Sequence, residues 1–424
     1  MLNMKKILLL SAISMIYAFE VNAQAWYGHD NGVSMVQDEA HLYLTSPEAA
    51  SLITMDKETG HLSFAEIPVP ADYYMQNVIV SGAVTYGGEV WLTYGDYVSR
   101  FTNGQILETH RHGIPQISPF ESVTIASDGT IWGARNHMIA QITPSCAVSL
   151  VNEANNSTTG TLSDLMSYKQ IPSVNGAYLD YVFDIKCDSE GNLWTLGRQV
   201  ESGVDYQALC CLRDNTLEAF TLPGEFNVST SASVITFDNE GSLWFNAAYR
   251  DKKDSNCLIH FDGSSFEIFD LPEVKQPIND FKFDNQGGVW VLSWGGHVFF
   301  YENLFGSDAK LYEIKPVSEN DDNSIKILSH LEMNGETIYI SGSHSVKTGA
   351  FALSHMRPIL VTIKDGQVSY AEIDPDSDSK SLNAISSVSA STENTNALFD
   401  LQGRRLTAEP AQGVYIQNGR KIIR

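Results

Sequence analysis

Phe237-Asp-Asn-Glu-Gly-Ser-Leu-Trp244 is the stretch that decides the fold, because the same turn returns along the whole chain. Its Asp can accept hydrogen bonds from backbone N–H groups two residues on, and its Gly can take a positive φ that a side chain would resist. The apolar residue and Trp that follow begin a new strand. Clear copies are Asp128-Gly-Thr-Ile-Trp132, Asp188-Ser-Glu-Gly-Asn-Leu-Trp194 and Phe283-Asp-Asn-Gln-Gly-Gly-Val-Trp290. Weaker copies are Gly87-Gly-Glu-Val-Trp91, Asn334-Gly-Glu-Thr-Ile-Tyr339 and Asp38-Glu-Ala-His-Leu-Tyr43. The marker aromatics stand at 43, 91, 132, 194, 244, 290 and 339, so seven copies are spaced by 48, 41, 62, 50, 46 and 49 residues.

Each copy has the same sequel, an alternating strand, a turn and another apolar strand. Cys257-Leu-Ile-His-Phe-Asp-Gly263 followed by Phe266-Glu-Ile-Phe-Asp-Leu-Pro272 is the clearest case. With the strand that precedes each Asp, as in Ser233-Val-Ile-Thr-Phe237 and Asn279-Asp-Phe-Lys-Phe283, every unit supplies four short antiparallel strands. Four-stranded units of about 45 residues repeated seven times predict an all-β chain, a seven-bladed β-propeller over residues 24–374. The recurring Asp, Gly and Trp are therefore read as scaffold, the Trp filling the gap between twisted neighbouring sheets. The long 62-residue interval places an insertion at 155–177.

The repeat resembles two propeller families. The "D..GNLW.G … L.R.DG..F" pattern is similar to the two-component regulator propeller repeat of polysaccharide-responsive sensors. Asp128-Gly-Thr-Ile-Trp132, Met138-Ile-Ala-Gln-Ile-Thr-Pro144 and Phe220-Thr-Leu-Pro223 resemble the streptogramin-lyase-like (virginiamycin B lyase) repeat. Both resemblances imply a fold more firmly than an activity. No kinase-like or DNA-binding segment follows the repeats in this sequence, so signalling in cis is not expected.

The ends carry addresses. Lys5 and Lys6 before the apolar run Ile7 to Phe19, with Val21-Asn22-Ala23 behind it, predict a secretory signal peptide over 1–23. Glu20 closes that run short of the roughly 20 residues a membrane span needs, so no transmembrane segment is expected after cleavage. Residues 375–396 are rich in Ser, Asn and Thr and read as a linker. Ala397-Leu-Phe-Asp-Leu-Gln-Gly-Arg-Arg-Leu406 and Gly413-Val-Tyr-Ile-Gln-Asn-Gly-Arg-Lys421 then predict a small β-hairpin module over 397–424. This "DLQGRR … GVYI.NGRK" pattern resembles the C-terminal sorting domains of proteins exported by the type IX (Por) secretion system of Bacteroidetes. The resemblance implies delivery by that export machinery. A periplasmic, cell-surface or extracellular location is the expectation.

The chain of 424 residues has 51 Asp and Glu against 27 Lys and Arg, a formal charge of −24. Residues 1–23 hold a net +1 and 397–424 a net +3, which leaves −28 on the propeller and linker. Such a body repels polyanions, so nucleic acid is not an expected partner. With 43% hydrophobic and 18% charged residues, the chain can bury a large core.

A propeller takes ligands at the mouth of its channel where the loops between blades and between second and third strands converge. Mapped onto the sequence, these loops carry Tyr73, Tyr74, Tyr94, Asp96, Arg135, Arg198, Tyr206, Tyr249, Arg250 and Trp294. Aromatic faces stack on apolar sugar faces and the polar groups fix hydroxyls, so a carbohydrate or a partner protein is the expected ligand. The chain is expected to act as a monomeric binding module. The alternative is a metal-dependent lyase of the streptogramin-lyase type, for which His137 and His344 would be the catalytic candidates and Asp96 or Asp254 the acidic partner. Neither pair has a diagnostic spacing, so no metal site and no cofactor are predicted. Hydrolase motifs such as G-x-S-x-G and H-E-x-x-H are absent from the sequence. Of the five cysteines, Cys187 and Cys210 share a blade and could pair, while buried free thiols are the default.

Overall fold

The computed structural model describes residues 35–373, apart from the segments 47–50, 69–79, 112–118, 143–147, 151–180, 229–232, 305–308, 315–325 and 348–353 and some one- or two-residue sites, together with short strands in 398–423. The signal-peptide, insertion and linker assignments lie outside the described residues. Seven antiparallel sheets follow one another along the chain, over 35–66, 82–111, 122–150, 181–221, 226–271, 278–313 and 326–372. They are blades 1 to 7 of a seven-bladed β-propeller.

Within a blade the strands run in chain order from the axis outward. The innermost strands are Met35–Gln37, Gly82–Tyr86, Ser122–Ile125, Tyr181–Cys187, Ile235–Phe237, Ile278–Phe283 and Lys326–Asn334, and each lies against the next around the ring, the last against the first. Blade 5 departs from the expected Ser233–Phe237 strand. Its inner edge is split between Phe226–Asn227 and Ile235–Phe237, because the N–H of Val234 is taken by the Asn246 side chain at 2.7 Å instead of the ladder.

The core is divided into the seams between blades, and each marker aromatic sits in one. Tyr43 of blade 1 packs with Val90, Leu92 and Tyr94 of blade 2. Trp91 packs with Phe120 and Ile131; Trp132 borders Ile185 and Leu193; Trp194 meets Phe261 at 5.9 Å. Trp244 meets Phe283 at 5.0 Å, and Trp290 joins Ile338 and Val361. Tyr339 of blade 7 then packs with Leu42 and Leu44 of blade 1, which closes the ring. Among the described residues no strand is shared across that last seam, since blade 1 and blade 7 are each built from one continuous stretch.

The turn chemistry is the one the sequence implies. In blade 5 the Asp238 Oδ1 accepts from the N–H groups of Glu240 and Ser242, both at 2.9 Å, and Gly241 has φ +83°. Asp188 and Asp284 repeat it with Gly191 at +86° and Gly287 at +85°.

In the C-terminal stretch Val414–Gln417 and Arg420–Ile423 pair as a hairpin, and Leu398–Phe399 and Arg405–Leu406 extend it to a four-stranded sheet.

Candidate functional site

Chain order inside each blade puts the Asp-Gly turns on one face of the ring and, on the other, the loops between second and third strands together with the connections between blades. On that loop face, blades 5 and 6 carry the most fully described of the expected residues, Tyr249, Arg250 and Trp294.

Tyr249 ends the second strand of blade 5, Leu243–Tyr249. Its hydroxyl donates to Asp270 Oδ1, and burial, with Asp270 beside it, raises the phenol above its ordinary pKa. The Lys252 ammonium lies 3.9 Å from the centroid of the Tyr249 ring, a cation–π contact, and the Phe226 ring lies 5.0 Å away on blade 5. Arg250 is fixed at its base, its N–H donating to Glu225 O at 2.9 Å and its Nε to Phe226 O at 2.7 Å.

Trp294 follows the second strand of blade 6, Val289–Ser293, and is 50% exposed. Its backbone is not loose, because its N–H donates to Pro277 O at 3.0 Å. The connection holding Pro277 is itself anchored by the buried Asn256, whose Nδ2 donates to Val274 O at 2.7 Å and Gln276 O at 3.1 Å. An indole half in water on a tethered backbone offers a flat apolar face for stacking.

The remaining candidates divide. Tyr94 is fully buried, its hydroxyl within 2.6 Å of Ser99 Oγ and donating to Pro68 O at 3.1 Å, so its ring packs the seam between blades 1 and 2. Asp96 accepts from Arg111 Nε at 2.7 Å. Arg135 ends the second strand of blade 3, Ile131–Arg135. Arg198, Tyr206 and His344 have described backbones: Arg198 pairs with Tyr181 and Gln207, Tyr206 with Gln199, and His344 with Lys326 and Arg357. Tyr73, Tyr74, His137 and Asp254 lie outside the described residues.

The Cys187–Cys210 pairing does not form. Both are free thiols, as are Cys211 and Cys257, because Cys187 ends the innermost strand of the blade and Cys210 lies on the third, with the second strand, Leu193–Glu201, between them. Burial pushes Cys187, Cys210 and Cys257 up to about 12 and Cys211 to about 11. Thiols held so far from ionisation are packing groups.

The sequence reading missed the polar groups around the axis. Asp184 and Asp280 stand on the inner strands of blades 4 and 6, and Lys186, Lys282 and Glu332 stand two residues further on at equivalent places in blades 4, 6 and 7. A signal was available, since Asp184 precedes the turn residue Asp188 by the same interval as Asp280 precedes Asp284.

Among solved structures, the chain is similar to virginiamycin B lyase of Staphylococcus aureus, with 18% identity over 74% of this chain and 92% of that one and a TM-score of 0.51. It is also similar to the Dos1 propeller, at 9% identity over 81% and 92% with a TM-score of 0.48. PorZ, a surface component of the type-IX secretion system of Porphyromonas gingivalis, matches at 12% identity over 81% of this chain and 59% of its own, with a TM-score of 0.44. At such identities the likeness is one of fold. No protein-family model and no curated protein matches this chain.

Proposed function

We propose that the chain is an exported binding module that holds a carbohydrate on the loop face of its propeller, at blades 5 and 6. One observation carries the reading. Trp294 offers a half-exposed indole on a backbone locked to Pro277, on the same face as Arg250 and the Tyr249–Asp270–Lys252 group. A flat ring covers the C–H face of a sugar, while carboxylate, ammonium and guanidinium groups on the same face supply the kinds of donor and acceptor that hydroxyls need. Export rests on the N-terminal Lys5-Lys6 and apolar run, and on the C-terminal resemblance to sorting domains of the type IX system.

The mature protein is tested on a glycan array, with a peptide array and a chelator arm alongside. Glycan binding that weakens at least tenfold in Trp294→Ala supports the proposal. Binding only to peptides would move the ligand to a partner protein, and chelator-sensitive turnover of the bound glycan would replace the binding role with a lyase. The export part is tested by cell fractionation with and without residues 397–424, and equal surface delivery of both forms would remove the tail from it.

A further inference from the structure

Three inner strands are bulged at the same place, at Phe183 in blade 4, Asn279 in blade 6 and Ser329 in blade 7. Directly after the first two bulges stand Asp184 and Asp280, and each carboxylate reaches the inner strand of the next blade. Asp184 Oδ2 accepts from Ile235 N and Asp280 Oδ2 from Leu331 N, both at 2.8 Å. Each Oδ1 also accepts from the N–H of the residue that follows, Ile185 or Phe281, at 2.9 Å. The two are one device used twice, a side-chain bolt between neighbouring blades.

Their surroundings differ. Asp184 also accepts from the Ser122 hydroxyl at 2.6 Å. Asp280 is 6% exposed and sits among charges instead. Lys282 lies on its own strand, Lys186 comes from blade 4, and Glu332 comes from blade 7, where His330 also follows the bulge. The described inner strand of blade 5, Ile235–Phe237, contributes no titratable side chain. Lys282 is engaged elsewhere, its Nζ 2.5 Å from Glu332 Oε1. Asp280 therefore shares one ammonium with a second carboxylate. Burial pushes its carboxyl up to about 6, and Glu332 adds to the rise against Lys282, the Leu331 N–H and Lys186.

This carboxylate stands under the candidate binding surface. Asp280 pairs with Leu292 and Ile278 with Ser293, and Pro277, one residue earlier, holds the backbone of Trp294. The bulged residue between them, Asn279, donates to Leu328 O of blade 7 at 2.6 Å.

We infer that Asp280 is a proton-binding post inside the ring, and that its protonation is read out at Trp294 through Asn279, Ile278 and Pro277. As a regulatory device for ligand binding it rests on the proposed role of Trp294, but the proton linkage itself needs no ligand. On protonation one carboxyl oxygen becomes an O–H donor, and the two backbone N–H groups of Phe281 and Leu331 are left with a weaker set of acceptors. The blade 6 to blade 7 seam must readjust at the point where Asn279 and Pro277 are tied. The sign follows from linkage: the folded protein binds this proton more tightly than the unfolded chain, so stability from this group is gained as pH falls through about 6 toward 3.8.

The test is an NMR titration of the indole N–H signals of the full mature chain from pH 7.5 to 4.5, with Trp294 assigned by loss of its peak in Trp294→Phe. The expected result is a Trp294 shift with a midpoint near 6 that disappears in Asp280→Asn and persists in Asp184→Asn. A flat Trp294 signal, or a midpoint unchanged in Asp280→Asn, overturns the inference. Should Asp280→Asn fail to fold, Glu332→Gln serves in its place. Removing the competing carboxylate frees Lys282 for Asp280, so the midpoint is expected to move down, and an unmoved midpoint overturns the inference as well. Loss of glycan binding in Trp294→Ala bears on the binding site alone.

Discussion

The indole Nε1–H of Trp244 donates to Asp238 Oδ2 at 2.8 Å, and Trp194 makes the same bond to Asp188 Oδ2 at 2.9 Å. One Asp thus shapes the turn through Oδ1 and satisfies a buried indole six residues on through Oδ2. In blade 6 the Trp290 Nε1 is buried without such a bond, and Asp284 acts on its turn alone. Asp238→Ala is therefore expected to cost about 2–3 kcal/mol, a lost turn cap plus an orphaned donor, against about 1 kcal/mol for Asp284→Ala. Urea unfolding of the two variants checks the difference, and equal losses would deny the indole bond any share.

That bond also marks the boundary of what the sequence could reveal. The turn Asp, the Gly and the aromatic act within a few residues of one another, so their period exposed the blades, their number and the seams. The loop-face residues were placed by counting strands, which finds a loop but not an orientation. Tyr94 has the same spacing as a mouth residue, yet its hydroxyl finds Ser99 and Pro68 inside the protein. Trp294 is exposed because Pro277, in a connection 17 residues earlier, holds its backbone at the surface. The axial charges depend on bulges and on partners a whole blade away, such as Leu331 for Asp280, 51 residues apart. Periodicity carries no information about such contacts.

Glycine is required by packing at the blade 2 to blade 3 seam. A Cβ on Gly133 would stand 2.5 Å from the Phe120 ring, and one on Gly82 would stand 2.3 Å from Val123 Cγ2. Gly133→Ala is expected to destabilise by about 1–3 kcal/mol through overpacking. Gly224→Ala meets nothing within 4 Å and serves as the control, with an expected change within about 1 kcal/mol. Thermal denaturation of both variants decides, and a neutral Gly133→Ala would mean that Phe120 yields without cost.

The thiols give a test of burial. Cys210, Cys211 and Cys257 are buried and their ionisation is pushed to about 11–12, so at pH 8 almost none is thiolate. A maleimide is expected to leave these three unmodified in the folded protein over an hour and to label all three in urea. Site-resolved mass spectrometry provides the readout. Rapid native labelling at Cys257 would show that blade 5 opens on that timescale.

Among the described residues the seam between the first and last blades is held by side chains, and Gln37 is its polar centre. Its Nε2 lies 2.9 Å from Glu332 Oε2 and 2.7 Å from Met333 O, and its Oε1 accepts from Lys57 Nζ at 2.7 Å. Glu332 in turn pairs with Lys282 of blade 6, so one connected network spans blades 6, 7 and 1. Gln37→Leu keeps much of the volume but leaves Glu332 Oε2, Met333 O and the Lys57 ammonium short of a partner each. An effect of about 2–3 kcal/mol is expected, larger than for one isolated hydrogen bond because the network is shared. The loss should also be local. Hydrogen exchange is expected to quicken first in Met35–Gln37 and Lys326–Asn334, while the inner strands of blades 3 and 4 keep their protection. Uniform acceleration around the ring would mean instead that closure is cooperative over all seven blades and that no single seam opens alone.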